Sequence, residues 1–433
     1  MLKKETLKGF ACSWLAVTAV TLFFLTVVVS AAPVAQAQTF QVLHAFTGGD
    51  DGATPSAGLT VIAEGKFYGV TNGGGSGTNG SVFKLTSSGS GATLAPLYNG
   101  LPSRGPDGQV VIGPNGNLFG VSALGGRGDC GGNGSCGYAY QLQPSPHTCV
   151  SFLCPWNESM LYAFNNPPDA GLPLGSVSFD RAGNLYGTTV EGGTGNCGNG
   201  VDPNPGCGAL YELTPSSGTW TETILYSFQG GNDGQSPEGG LIFDAAGNLY
   251  GTTAGGGSAG CGTIFELSAS DGGWTKTILH NFQCSDGYGP RGNLIADRSG
   301  NLYGVTTSGG ADNGGVAFEL SQPGSWTFNL LYSFPEDSYP TGPLVFDNAG
   351  NLYGTTEVGG AYDNGSAYKL TPSNGGWTET DLHDFQATDG EFLNGGVVID
   401  AAGNLYGTAE QGGIGFDGPC YAIGCGTIWE ITP

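Results

Sequence analysis

The chain has 433 residues and a net charge of −24, and its Gly 82 and Pro 24 make up about a quarter of it. So acidic a surface is repelled by phosphates, which argues against nucleic acid and anionic lipid as partners. Glycine at this level suits disorder unless a period is present, and here one is.

Residues 1–37 read as a secretory signal. Lys3, Lys4 and Lys8 are its charged region, residues 11–29 are apolar, and Ala35-Gln36-Ala37 is a small-x-small cleavage site. The expected location is secreted, with no membrane contact after cleavage. The apolar run is long for a signal, so retention by an uncleaved N-terminal anchor is the alternative. Residues 38–433 carry 9 basic and 35 acidic side chains and are expected to form one monomeric domain.

The repeating unit is clearest at residues 239–267, GGLIFDAAGNLYGTTAGGGSAGCGTIFEL, and it occurs in seven copies. The aromatic of its NLYG core falls at Tyr68, Phe119, Tyr186, Tyr250, Tyr303, Tyr353 and Tyr406, spaced by 51, 67, 64, 53, 50 and 53 residues. The two long intervals hold cysteine-bearing insertions. Each period contains four strand-like runs. An apolar run such as GLIFD is followed by a D-x-x-G-N turn, whose Gly can take the positive φ of a tight hairpin. The second run, NLYGTT, has a Gly in every copy, the mark of a close approach by backbone or aromatic ring. A Gly-rich loop leads to the third run (GTIFEL), and a turn often bearing Trp leads to the fourth (TETILYSF). No segment has a helical apolar period.

Four antiparallel strands in each period of about 50 residues, seven times over, predict an all-β fold, a seven-bladed β-propeller. The chain begins with a fourth-type strand at 39–46 and its last run, 426–432, is third-type. The strand count therefore balances if the N-terminal strand completes the last blade, which leaves no open sheet edge. In that arrangement the second-to-third loops and the blade-to-blade crossings share one face, and the hairpin turns occupy the other.

Ten cysteines follow the signal, an even number that fits a disulfide framework in an exported protein. Local pairs are expected for Cys130 with Cys136, Cys149 with Cys154, Cys197 with Cys207, and Cys420 with Cys425. Cys261 and Cys284 fall on the same face and complete a fifth pair if their Cα atoms come within about 7 Å. Zinc is the rival reading, but the spacings are irregular and His is scarce.

The unit LYSFQGGNDGQSPEGGLIFDAAGNLYGTTAGGGSAGCGTIFEL at 225–267 resembles the repeat of exported bacterial proteins of the GloVer type. The resemblance spans nearly all of 40–432. It implies an extracellular location and brings no established activity with it.

Side-chain chemistry is sparse. His44, His280 and His383 share one fourth-strand position with Tyr98, Tyr162, Tyr226 and Tyr332, which reads as a packing slot with a polar tip. His147 lies alone in an insertion. Gly256-Gly257-Ser258-Ala259-Gly260 matches G-x-S-x-G, but a nucleophile elbow needs a strand-to-helix turn. Asp180, Asp244, Asp297, Asp347 and Asp400 open the D-x-x-G-N turns and should bond turn amides.

More suggestive are carboxylates on the loop-rich face. The crossings supply Asp50, Asp51, Asp169, Asp233, Asp286, Asp337 and Asp389, and the second-to-third loops supply Glu191, Glu357 and Glu410. Such oxygens suit calcium, the one cofactor these residues suggest, and paired carboxylates suit glycoside chemistry. Two functions follow. The favoured one is a non-catalytic module contacting an extracellular protein or glycan through the loop-rich face, and no catalytic residue is assigned. The alternative is a secreted polysaccharide or lactone enzyme at the axial channel mouth. It predicts a His, Arg or Glu cluster that departs from the repeat, with Arg127, Arg291 and Glu191 as the departures in view.

Overall fold

The structure, a computed structural model, describes residues 38–75, 79–88, 91–100, 107–126, 136–145, 156–165, 167–198, 205–270, 272–322, 324–413, 420 and 423–432. It contains seven four-stranded antiparallel sheets, each in the order of the four runs of the repeat, set as the blades of a β-propeller. Blade 4 is typical, with strands Ile242–Phe243, Leu249–Thr253, Thr263–Ser270 and Gly273–Asn281. Blades 1, 2, 3, 5 and 6 span 60–99, 111–163, 178–227, 295–333 and 345–384. Blade 7 takes three strands from the C-terminal end, Val397–Ile399, Leu405–Ala409 and Thr427–Thr432, and its outer strand from Thr39–Ala45. Phe40 sits opposite Ile431 and Val42 opposite Trp429 in that pairing.

Burial explains why the four runs read differently. The second strand of blade 4 is buried at all five positions, because neighbouring blades cover both of its faces. It therefore reads as a continuous apolar and small-residue run rather than an alternating one. The fourth strand is at the rim and alternates between exposed and half-buried positions.

The core lies in the seams between blades. Tyr186 and Leu210 of blade 3 pack with Leu241, Leu249, Phe265 and Leu267 of blade 4. The seam between blades 7 and 1 is built in the same way from Leu43, Tyr406 and Ile428 against Leu59, Phe67 and Phe83. Each fully buried aromatic of this kind contributes on the order of 1.5–3 kcal/mol.

The invariant strand glycine makes room for the third-strand aromatic. A Cβ on Gly251 would lie 2.8 Å from Phe265 Cζ, and one on Gly304 would lie 2.7 Å from Phe318 Cζ. In blade 7 the ring that fills this place is Trp429, fully buried against Gly407.

The D-x-x-G-N turns close as expected. Asp244 Oδ1 accepts from the Ala246 and Asn248 amides at 2.8 and 2.9 Å, and Oδ2 accepts from Asn248 Nδ2 at 2.8 Å. The Tyr250 hydroxyl donates to Asp244 and lies equally close to Glu266 on the third strand. Asp180, Asp297, Asp347 and Asp400 repeat the arrangement. Among the described residues no helix is long and apolar enough to cross a membrane.

Candidate functional site

The segments entering each first strand meet around the axis. They follow a P-x-G pattern, with Ala57 in the Gly position of blade 1 and Leu393 in the Pro position of blade 7. The glycines are fixed by crowding. A Cβ on Gly175 would lie 2.8 Å from the Gly239 backbone, one on Gly239 would lie 2.8 Å from Gly292 O, and one on Gly292 would lie 2.8 Å from Thr341 O. Backbone thus packs on backbone from blade to blade, and the middle residue of P-x-G varies most.

That residue differs in all seven blades: Ser56, Asp107, Leu174, Glu238, Arg291, Thr341 and Asn394. All seven line one axial cavity of ≈ 150 Å³. The crossings pair with the starts of the second-to-third loops, as at Gln235 with Gly255 and Glu391 with Gln411. The mouth of this cavity therefore lies on the loop-rich face.

Its polar groups are joined in three sets. Asn72 Nδ2 donates to Ser56 Oγ at 2.9 Å and to Asp107 Oδ1 at 3.2 Å, and Asp107 Oδ2 accepts from the Ala123 amide at 3.1 Å. At blades 6 and 7, Thr341 Oγ1 donates to Asn394 Oδ1 at 3.3 Å, and Asn394 Nδ2 donates to Glu410 Oε2 at 2.9 Å. Arg291 Nε lies 3.3 Å from Glu238 Oε2, with the arginine side chain 56% exposed. Burial raises the Glu238 pKa against the lowering effect of Arg291. Burial and the charge of Glu410 raise Glu357, which Arg291 again opposes. One guanidinium thus faces two carboxylates, both biased toward their protonated forms.

The predicted carboxylates fall into distinct places. Glu357 and Glu410 share a repeat position beside the axial ring. Glu191 lies one residue farther along its blade, in a short strand paired with the crossing at Gly171. Asp51, Asp169, Asp233, Asp286 and Asp389 staple their crossings. Each accepts from the backbone amide of Thr47, Asn165, Gln229, Gln283 or Gln386, at 2.7–3.0 Å. The His/Tyr slot supplies a second contact: His44 to Asp51 and His383 to Asp389 at 3.1 and 3.2 Å, and Tyr226 to Asp233 at 2.6 Å. His280 Nε2 lies 3.2 Å from Asp286 Oδ2 without hydrogen-bond geometry. The slot therefore packs with its polar tip on the crossing. Asp337 accepts from the Tyr339 hydroxyl at 3.2 Å, and Asp50 is exposed.

Disulfides join Cys197 to Cys207, Cys261 to Cys284 and Cys420 to Cys425, with Cα separations of 5.1, 5.3 and 5.3 Å. Cys130, Cys149, Cys154, Arg127 and His147 lie outside the described residues. Among the described residues, no group of three or more His, Cys, Asp or Glu is placed to hold a metal ion. Ser258 sits in a loop between strands, not on a strand-to-helix turn.

The axial ring was present in the sequence but unmarked. Aligning the repeats on P-x-G shows a variable residue between two nearly fixed ones, and of the seven only Arg291 had stood out.

Among solved structures, the chain is similar to the extracellular domain of a candidate one-component system from B. thetaiotaomicron, at 12% identity and TM-score 0.50, covering 90% of this chain and 40% of that one. It is similar to a candidate 6-phosphogluconolactonase from Bacteroides uniformis, at 14% identity and TM-score 0.48 over 76% and 84% of the two chains. It is also similar to an ulvan lyase, at 11% identity and TM-score 0.48 over 79% and 86%. At these identities the likeness is one of fold. No curated protein matches the chain in sequence. A family model does match, over residues 26–199 and 129–339. The chain belongs to the Gloeobacter/Verrucomicrobia repeat family.

Proposed function

We propose that this is an exported, non-catalytic binding module that takes a hydroxyl-rich ligand, from a glycan or a protein, at the axial mouth of its loop-rich face. One observation carries the reading. A scaffold that repeats nearly every structural residue presents seven different side chains at a position encircling the axis. Symmetric packing needs no such variety, whereas recognition of one asymmetric ligand does. Acceptors outnumber donors there, which suits a ligand rich in O–H or N–H groups. Glu238, Arg291, Glu357, Glu410 and Asn394 are its contacts in this reading. The crossing aspartates Asp233, Asp286 and Asp389 stand behind them, since loop amides already occupy their oxygens. The disulfides and the signal-like residues 1–37 support an oxidising location outside the cell.

The cluster of Glu238, Arg291, Glu357 and Glu410 departs from the repeat, and this also favours a second reading. In it the site is catalytic toward a polysaccharide or lactone, with a raised carboxyl as proton donor. A glycan array followed by calorimetry separates the two. The binding reading expects a saturable ligand that is recovered intact, with affinity lost at least ~10-fold in Arg291→Ala and Glu357→Gln. Release of a shortened or ring-opened product would favour the enzyme. Affinity unchanged in both variants would overturn both readings.

A further inference from the structure

The hairpin-turn face holds a second groove, unconnected with the axial mouth. Three hairpin tryptophans cover the preceding blade's second-strand aromatic. Trp156 pairs with Tyr68 at 6.0 Å between centroids, Trp220 with Phe119 at 6.2 Å, and Trp326 with Tyr250 at 5.8 Å. Trp274 and Trp377 make no such pair among the described residues, and Trp377 borders a cavity. This cavity, of ≈ 650 Å³, is lined by Trp377 and Pro372 on one side and the 296–299 turn on the other. Tyr303 and Phe346 also line it, edge to face at 5.0 Å. Beyond Phe346 a second cavity of ≈ 480 Å³ continues past the Asp400 turn of blade 7. Both volumes fall in the range of small-ligand sites.

The polar lining narrows the ligand class. Asp297 and Asp347 are committed to their own turn amides, asparagines and tyrosine hydroxyls. Arg298, Ser299 and Asn348 line the same cavity, and among the described residues no internal hydrogen bond uses their side chains. The groove thus offers aromatic surface with a few donors at its edge. Two carboxylates flank its single guanidinium, so it has no charge attraction for an anion.

The geometry points to a binding site for a neutral saccharide chain in this groove, running from Trp377 across Phe346 toward the blade 7 turn. Pyranose C–H faces lie on the aromatic rings, and Arg298, Asn348 and Ser299 donate to sugar oxygens. The site is independent of the axial mouth and does not rest on its ligand.

Calorimetry of the full chain with neutral hexasaccharides (cellohexaose, xylohexaose and laminarihexaose) tests this, with hexagalacturonate as the charged comparator. At least one neutral chain should bind with Kd on the order of 0.1–1 mM, and the uronate more weakly. Trp377→Ala should weaken binding at least ~10-fold. Ala349→Trp fills the groove from an exposed turn while leaving Trp377 in place, and it should do the same if Trp377→Ala folds poorly. Tyr362→Ala, at an exposed loop-face aromatic outside both sites, should leave binding unchanged. No neutral hexasaccharide binding at ~10 mM would overturn the assignment. So would binding that survives both groove variants, or binding that is lost only in Arg291→Ala.

Discussion

Lys276 of blade 4 reaches across the seam to Asp233 on the crossing from blade 3, with Nζ 2.7 Å from Oδ1 and its side chain only 3% exposed. The ammonium also lies over the rings of Tyr226 and Phe228, at 5.1 and 4.8 Å. The same strand position holds Glu158, Glu222, Phe328, Glu379, Phe40 and Leu94 in the other blades. Its chemistry follows the slot it faces. His280 and His383 are stacked on by Phe328 and Phe40 at 4.0 and 3.6 Å, whereas Tyr162 and Tyr332 donate to Glu222 and Glu379. A tyrosine hydroxyl can donate to a half-buried carboxyl oxygen, and an imidazole already facing its aspartate leaves only a flat ring to cover.

Removing the Lys276 ammonium should therefore leave Asp233 without its cation in a half-buried seam. Burial alone would raise the Asp233 pKa, but hydrogen bonds from Lys276, Tyr226 and the Gln229 amide hold it below the usual value. Lys276→Met should cost about 2–4 kcal/mol near neutral pH, read by urea unfolding. The loss should shrink below about pH 4, where Asp233 can be protonated.

The seam between blades 2 and 3 should respond oppositely to pH. Glu222, half-buried beside Asp169, has its pKa pushed up to about 9, chiefly by burial and then by Asp169. Between about pH 4.3, where the unfolded side chain titrates, and pH 9, the folded state holds a proton that the unfolded state has released. Stability therefore falls as pH rises through that window and levels off above it. Glu222→Gln keeps a hydrogen-bond donor and removes the charge. It should raise stability by on the order of 1–3 kcal/mol at pH 8 and change little at pH 4. Equal effects at both pH values would contradict this account.

Gly251→Ala places a methyl 2.8 Å from Phe265 Cζ and 2.9 Å from Leu241 Cδ2 in a packed seam. The expected cost is about 2–3 kcal/mol by thermal or chemical unfolding. Because the clash is with one ring, Phe265→Leu in the same chain should recover part of it. The double variant should be less destabilised than the sum of the singles.

Cys261 and Cys284 close a loop with a sequence separation of 23. Replacing both by Ser should lower unfolding free energy by about 3 kcal/mol. The comparison is best made in oxidised buffer, with the other disulfides intact.

The repeat, its four strands and the D-x-x-G-N turns were legible because each rests on local chemistry. Asp244 bonds amides only two and four residues away, and Gly247 takes its φ of 92° within the same turn. The strand glycine was also readable, since a residue without Cβ inside a strand implies a near neighbour. Even the bridge from Cys261 to Cys284 followed once the two loops were assigned to one face.

What the chain order hides is decided by closure into a ring. Ser56, Asp107, Leu174, Glu238, Arg291, Thr341 and Asn394 are tens of residues apart and share no residue type, yet they meet at the axis. The pairing of Lys276 with Asp233, and of Phe40 with His383, likewise joins neighbouring blades across a seam. Sequence period determines which strands form and in what order, because those forces act within one blade. Which side chains face each other between blades depends on how the sheets pack, and only the tertiary structure sets that.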